Sequence, residues 1–132
     1  AAITAMKHAN AQVVTASTDS VDFLRPIKTG DITSYEAMVS YAGSTSMEIC
    51  VQIIIEDVLN KERHLAALSF LTFVALGKNG KPTRIPKVYP ETKIEKWFYE
   101  GAPKRVQRRK ERREDSKRTI EFLSEAQHIE NI

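Results

Sequence analysis

Met47-Glu48-Ile49-Cys50-Val51-Gln52-Ile53-Ile54-Ile55-Glu56 alternates apolar and polar side chains through Gln52 and is rich in β-branched residues. Alternation with a period of two belongs to an extended backbone, in which successive side chains point to opposite sides. Met47, Ile49, Val51, Ile53 and Ile55 then share one face, and Glu48, Cys50, Gln52 and Glu56 share the other. One face is core. Residues 45–58 therefore read as a strand, and 12–24, 32–42 and 64–76 repeat the pattern of β-branched and aromatic runs. Turn-forming residues separate the four: Pro26 and Gly30, then Gly43, then Asn60. Connectors this short predict that strands adjacent in sequence pair antiparallel.

Strands of such length make a sheet that twists, and its apolar face must be covered. A helix would cover it. Residues 1–9 have helical composition, with Ile3 and Met6 one turn apart, and read as the C-terminal end of a longer central helix. After the turn-rich Gly77-Lys78-Asn79-Gly80-Lys81-Pro82, residues 83–88 are expected to pair briefly. Pro90 is expected to open a helical segment through Trp97, Phe98 and Tyr99, and Pro103 a second helix. Near the end, Ile120, Phe122, Leu123, Ala126, Gln127 and Ile129 form a stripe expected to dock. The fold class is α+β, with residues 1–102 as one domain and 103–132 as a basic helical extension.

The 132 residues are 42% hydrophobic and 28% charged, with five Gly and five Pro, which excludes collagen-like, disordered and disulfide-scaffold classes. Cys50 is the single cysteine and fits a reducing compartment. Residues 65–76, interrupted by Ser69 and Thr72, fall short of the roughly 20 needed to span a bilayer. Residues 1–12 lack the pattern of a secretory leader, so the expectation is a cytoplasmic protein with no membrane partner.

The net charge of +3 is unevenly placed. Residues 104–118 hold nine basic side chains against Glu111, Glu114 and Asp115, a local +6 that leaves the rest of the chain at −3. Lys104, Arg108 and Arg112 form one i, i+4 series, and Arg105, Arg109, Arg113 and Lys117 another. Nucleic-acid binding through this stripe is the alternative function it suggests. Against it, no aromatic residue lies between Tyr99 and Phe122 to stack bases, and no groove-reading motif is present. A solvated arm, or a contact with an acidic neighbouring subunit, is the preferred reading.

His8, His64 and His128 are far apart and no paired-cysteine spacing exists, so no metal site is expected. In the glycine-rich stretch Pro82 follows Gly80-Lys81, where a phosphate loop needs Ser or Thr, which leaves a hairpin turn. Cys50, mid-strand with no His nearby in sequence, reads as a structural thiol. Asp19 and Asp22, three apart on a strand, face opposite sides and cannot form a catalytic pair.

The run Val13-Val14-Thr15-Ala16-Ser17-Thr18-Asp19-Ser20-Val21-Asp22-Phe23-Leu24-Arg25-Pro26-Ile27, followed by Gly30-Asp31, resembles the hotdog-fold acyl-CoA thioesterases (acyl-CoA hydrolases). Tyr41-Ala42-Gly43-Ser44-Thr45-Ser46-Met47-Glu48 is similar to that family's Gly-x-Thr/Ser-Ser segment. Ser69-Phe70-Leu71-Thr72-Phe73-Val74-Ala75-Leu76 with Ile85-Pro86 is similar to its last long strand and exit. Arg108-Arg109-Lys110-Glu111-Arg112-Arg113 resembles the tail of a bacterial single-hotdog branch.

The resemblance implies a long curved antiparallel sheet wrapped around a central helix, of which this chain holds the C-terminal end, plus a C-terminal helix. It also implies subunits paired edge to edge, assembled as a trimer of dimers, hydrolysing acyl-CoA to free fatty acid and CoA at a site between subunits. CoA is part of substrate and product, and no other cofactor is implied. The family's catalytic Asp lies within the central helix, with an Asn in the loop before it and a Gly-rich turn at the helix start. Ala1-Ala2-Ile3-Thr4-Ala5-Met6 resembles only the part just after that Asp, so no catalytic residue takes a number here. The catalytic segment is read as missing from this chain, and a non-catalytic acyl-CoA-binding or assembly module is the further alternative. The residues expected to hold CoA are Arg25, the hydroxyl cluster Ser44, Thr45 and Ser46, and Arg84 or Lys87, each of which could equally be a turn cap or a solvated charge.

Overall fold

The computed structural model describes residues 1–128. The chain divides into two compact units, Ala1–Tyr99 and the segment from Glu100 onward.

In the first unit, helix α1 (Ala2–Ala9) leads into strands β1 (Gln12–Thr18), β2 (Asp22–Phe23), β3 (Ile32–Ala42), β4 (Ser46–Asp57) and β5 (Glu62–Leu76). They form one antiparallel sheet in the order β1-β5-β4-β3, with β2 also on β5. The tight turns at Gly43 and Asn60 make β3, β4 and β5 a meander, as the turn residues predict. At the β4–β5 tip, Asp57 caps the Asn60 amide at 3.1 Å and accepts from Asn60 Nδ2 at 2.8 Å, while Lys61 takes a left-handed conformation.

The first strand departs from expectation twice. It breaks after Thr18 and resumes at Asp22, and it pairs with β5, not with its sequence neighbour β3. The connector through residues 19–31 is long enough to carry the chain from one edge of the sheet to the other. Residues 83–88 form no strand; their pairing is reduced to Thr83 N–H on the Ala75 carbonyl and Ile85 N–H on the Ser44 carbonyl, next to the isolated bridge Leu76↔Pro82.

The core lies between α1 and one face of the sheet. Met47 and Ile49 from β4 and Phe73 and Ala75 from β5 are buried against Ala5, with Val39, Val51, Leu71 and Val13 packed around them. Helix α1 approaches through its alanines, Ala5 and Ala9, whose small side chains let its backbone come close to the strands. Ile3 and Met6, the larger pair the sequence suggested for this role, are exposed. Asn10 ends the helix in a left-handed conformation and returns its N–H to the Met6 carbonyl. Beyond the reach of α1 the same face continues: Tyr35 pairs with Ile53, which pairs with Ala67, which pairs with Phe23. Tyr35 and Phe23 are 69% and 64% exposed.

The opposite face is covered as well. Glu48 and Cys50 are both buried. Phe70, the register partner of Cys50, meets Phe98 edge to face at 5.8 Å, and Tyr41, the partner of Glu48, meets Tyr99 at 5.8 Å. The first two turns of helix α2 (Lys93–Gln127) therefore lie on this side of the sheet. Thr92 caps that helix through the Glu95 N–H at 3.1 Å, so it begins at Lys93, three residues after Pro90, and carries a Thr-x-x-Glu signature.

The second unit is the remainder of α2. Pro103 lies inside a continuous helix, where a new helix was expected. Proline removes one backbone hydrogen bond, to the Tyr99 carbonyl, and the turns on either side carry the helix across that gap. Gln107 bonds Glu111 and Arg118 bonds Asp115 along the helix surface. Ile120, Phe122 and Leu123 are exposed where a docked stripe was expected, and Ile129 lies outside the described residues.

Candidate functional site

Four local features meet at one end of the sheet. The β3–β4 turn is closed by Gly43 N–H donating to the Ser46 carbonyl at 2.8 Å. The Thr45 carbonyl accepts from Ala75 N–H at 3.0 Å, and the Ser44 carbonyl accepts from Ile85 N–H at 3.0 Å. Thr83 N–H donates to the Ala75 carbonyl at 2.9 Å, so residues 82–86 form a strap fastened to both β5 and the β3–β4 turn. At its far end His8 of α1 donates from Nε2 to the Pro86 carbonyl at 2.8 Å. On the strap itself each of these contacts is made by a backbone group, which leaves the strap's side chains available for binding.

Two of the expected holders, Ser44 and Arg84, are brought together by this strap, and Lys87 follows one residue past the His8 contact. Ser44, Arg84 and Lys87 are exposed; Thr45 and Ser46 are half-buried. Arg84 also lines a cleft at the junction of α1, β1 and β5. Arg25 stands apart. Its N–H and that of Leu24 both point to the Ala66 carbonyl, whereas the strap meets β5 at Ala75 and Leu76. Nine to ten residues of strand separate those points, roughly 30 Å. Within one protomer Arg25 cannot share a ligand headgroup with Arg84.

The strand is interrupted between Asp19 and Asp22, so the period-two argument that set them on opposite faces does not hold there; Asp22 is exposed. Gly77-Lys81 is a turn, closed by Gly77 N–H to the Lys81 carbonyl at 2.8 Å and by the Asn79 carboxamide on Lys81 N–H. Sequence reasoning missed what that turn lines: Lys78 faces the same cleft as Arg84. The signal was the run Lys78, Lys81, Arg84 and Lys87 with no acidic residue among them. Among the described residues, no group of three or more His, Cys, Asp or Glu is placed to hold a metal ion, and no helix is long and apolar enough to cross a membrane.

Residues 1–60 match the Thioesterase superfamily. The acyl-CoA hydrolase of Staphylococcus aureus, solved in complex with butyryl-CoA, CoA and CoA disulfide, is 70% identical, with a TM-score of 0.90 over 94% of this chain and 76% of that one. A hexameric acyl-CoA thioesterase solved without ligand is 50% identical, with a TM-score of 0.80 over 85% of this chain and 72% of that one. The uncharacterised acyl-CoA thioester hydrolase YkhA of Bacillus subtilis is 47% identical over 116 residues, 88% of this chain. The chain spans 67% of that relative's length and 55% of the VdlD proteins of Helicobacter pylori. This chain belongs to the hotdog-fold thioesterase superfamily.

Proposed function

We propose that the full-length protein is an acyl-CoA thioesterase, hydrolysing acyl-CoA to free fatty acid and CoA. One observation carries this reading: 70% identity along nearly the whole chain to a hydrolase solved with CoA and an acyl-CoA. Water adds to the thioester carbonyl, the C–S bond breaks, and the CoA thiolate takes up a proton. Such a step needs a carboxylate or other base to activate water, and N–H donors to hold the developing oxyanion, each worth ~2.7 to 4 kcal/mol at comparable acyl-transfer sites. Neither role is assigned to a numbered residue of this chain.

The residues present serve binding. CoA is polyanionic at one end and extended along pantetheine, so it needs cations at a headgroup site and a slot leading to the thioester. Arg84 and Lys87 supply the cations, and Ser44, Thr45 and Ser46 supply hydroxyls at the adjoining turn. Arg25 is too distant to join them within a protomer and would act on a ligand shared with another subunit. No cofactor beyond the CoA of the substrate is needed.

A homo-oligomer, built as a trimer of dimers, supports such sharing. β1 and β3 are edge strands with one long neighbour each, and the exposed Phe23, Leu24 and Tyr35 are apolar area that association would bury. The single cysteine suits a reducing compartment, which is the support for a cytoplasmic location.

Product analysis tests the reading. Full-length protein incubated with acyl-CoA should yield free acid and CoA in equal amounts by mass spectrometry. Tight CoA binding with no product from any chain length would instead support a non-catalytic acyl-CoA-binding module.

A further inference from the structure

Among the described residues, three hydrogen bonds hold the strap, each to a different element. Thr83 N–H donates to the Ala75 carbonyl of β5, and Ile85 N–H donates to the Ser44 carbonyl of the β3–β4 turn. The third runs the other way. Pro86 has no N–H to give, and its carbonyl accepts from His8 Nε2 of α1, across 78 residues of sequence. The first two are backbone bonds, which no side-chain substitution removes. The third depends on one half-buried imidazole in the last turn of α1. Nε2 donates from the neutral Nε2–H tautomer or from the imidazolium, so the bond persists when the ring gains a proton. The two cations on this segment stand differently towards the anchors. Arg84 lies between Thr83 and Ile85 and is fixed on both sides by backbone. Lys87 follows Pro86, and among the described residues no hydrogen bond holds the backbone of residues 87–90; the next along the chain is Glu91 N–H on the Glu95 carboxylate at 3.0 Å. Proline fixes its own φ but leaves ψ free, and ψ sets both where the Pro86 carbonyl points and where the chain goes next. Holding that carbonyl therefore holds the start of Lys87.

We infer that His8 is a positioning residue for substrate binding: by holding the Pro86 carbonyl it fixes the direction in which the chain leaves the strap, and so where Lys87 meets CoA. The inference rests on the acyl-CoA reading, in which Lys87 is one of the binding cations. It adds His8, which acts only through Lys87 and leaves Arg84 where the backbone bonds put it.

Steady-state kinetics on full-length protein test it, with an acyl-CoA of the chain length that wild type turns over fastest. The variants are His8→Ala, His8→Gln, Lys87→Ala and Arg84→Ala, with His8→Ala also combined with each of the last two. His8→Ala should raise KM roughly three- to tenfold, as one lost hydrogen bond does, with kcat within about twofold of wild type. His8→Gln, which returns an N–H donor on a side chain of similar reach, should recover most of that. In the Lys87→Ala background His8→Ala should add less than about twofold, whereas in the Arg84→Ala background its full effect should remain, because only Lys87 lies beyond the bond. A wild-type KM in folded His8→Ala, or an undiminished effect in the Lys87→Ala background, overturns the inference and leaves the thioesterase reading intact. If wild type releases no CoA, that reading fails, and the same cycle is measured by calorimetric titration with CoA. Weaker binding in His8→Ala that vanishes in the Lys87→Ala background then supports the role of His8; any other pattern, including no binding by wild type, overturns it.

Discussion

Ser40 Oγ donates to Glu48 Oε1 at 2.6 Å, and both residues are buried, on the face of the sheet that packs under the start of α2. The bulge between Val39 and Tyr41 puts Ser40 opposite Glu48. A buried carboxylate needs such donors, and removing one leaves part of its desolvation cost uncompensated. Ser40→Ala should therefore cost about 1 to 3 kcal/mol in urea unfolding. An unchanged midpoint would show that the other partners of Glu48 suffice.

The core and the hairpin tip should respond very differently to truncation. Ile49 is fully buried between α1 and the sheet, and Ile49→Ala should cost about 2 to 5 kcal/mol. Leu59 is 94% exposed at the β4–β5 turn, and Leu59→Ala should fall within about 0.5 kcal/mol of wild type. Denaturant midpoints measure both. Equal effects would contradict the placement of the core.

Asn60 holds the Asp57 carboxyl below its ordinary value of 3.8, first through its side-chain amide and then through its backbone N–H. A folded-state pKa below the unfolded one contributes stability that is complete above the unfolded value and lost as pH falls through the folded one. The turn is thus fully stabilised at neutral pH and weakens only in strong acid. Asn60→Ala should raise the Asp57 pKa toward 3.8, read by carboxyl-carbon NMR titration. A titration unmoved by the substitution would remove the side-chain amide as the cause.

Full-length protein should run as a hexamer in size-exclusion chromatography with light scattering, and adding charge at Tyr35 or Phe23 should lower the association state. A monomer of unchanged mass across concentrations would contradict the assembly.

Local pattern made much of this fold legible. The period of two in β4 and the turn residues Gly43 and Asn60 define the β3–β4–β5 meander, and ordered segments along the chain led to the family. What escaped was non-local. Nothing in the alternation of β4 tells that Glu48 and Cys50 will be covered by residues some fifty positions later in the chain, at Phe98 and Tyr99. Nothing in Val13 and Val14 chooses β5 over β3 as neighbour. The binding side was half legible: Arg84 and the Ser44 turn were named from the resemblance, but Lys78 reached the cleft through a turn whose residues read as simple punctuation.

The most direct measurement is CoA release from acyl-CoA by the full-length protein, followed continuously with a thiol reagent over a series of acyl-chain lengths. The account predicts release well above the buffer rate, saturating with substrate, for at least one chain length. No release from any of them, by protein shown to be folded and to bind CoA, would contradict it.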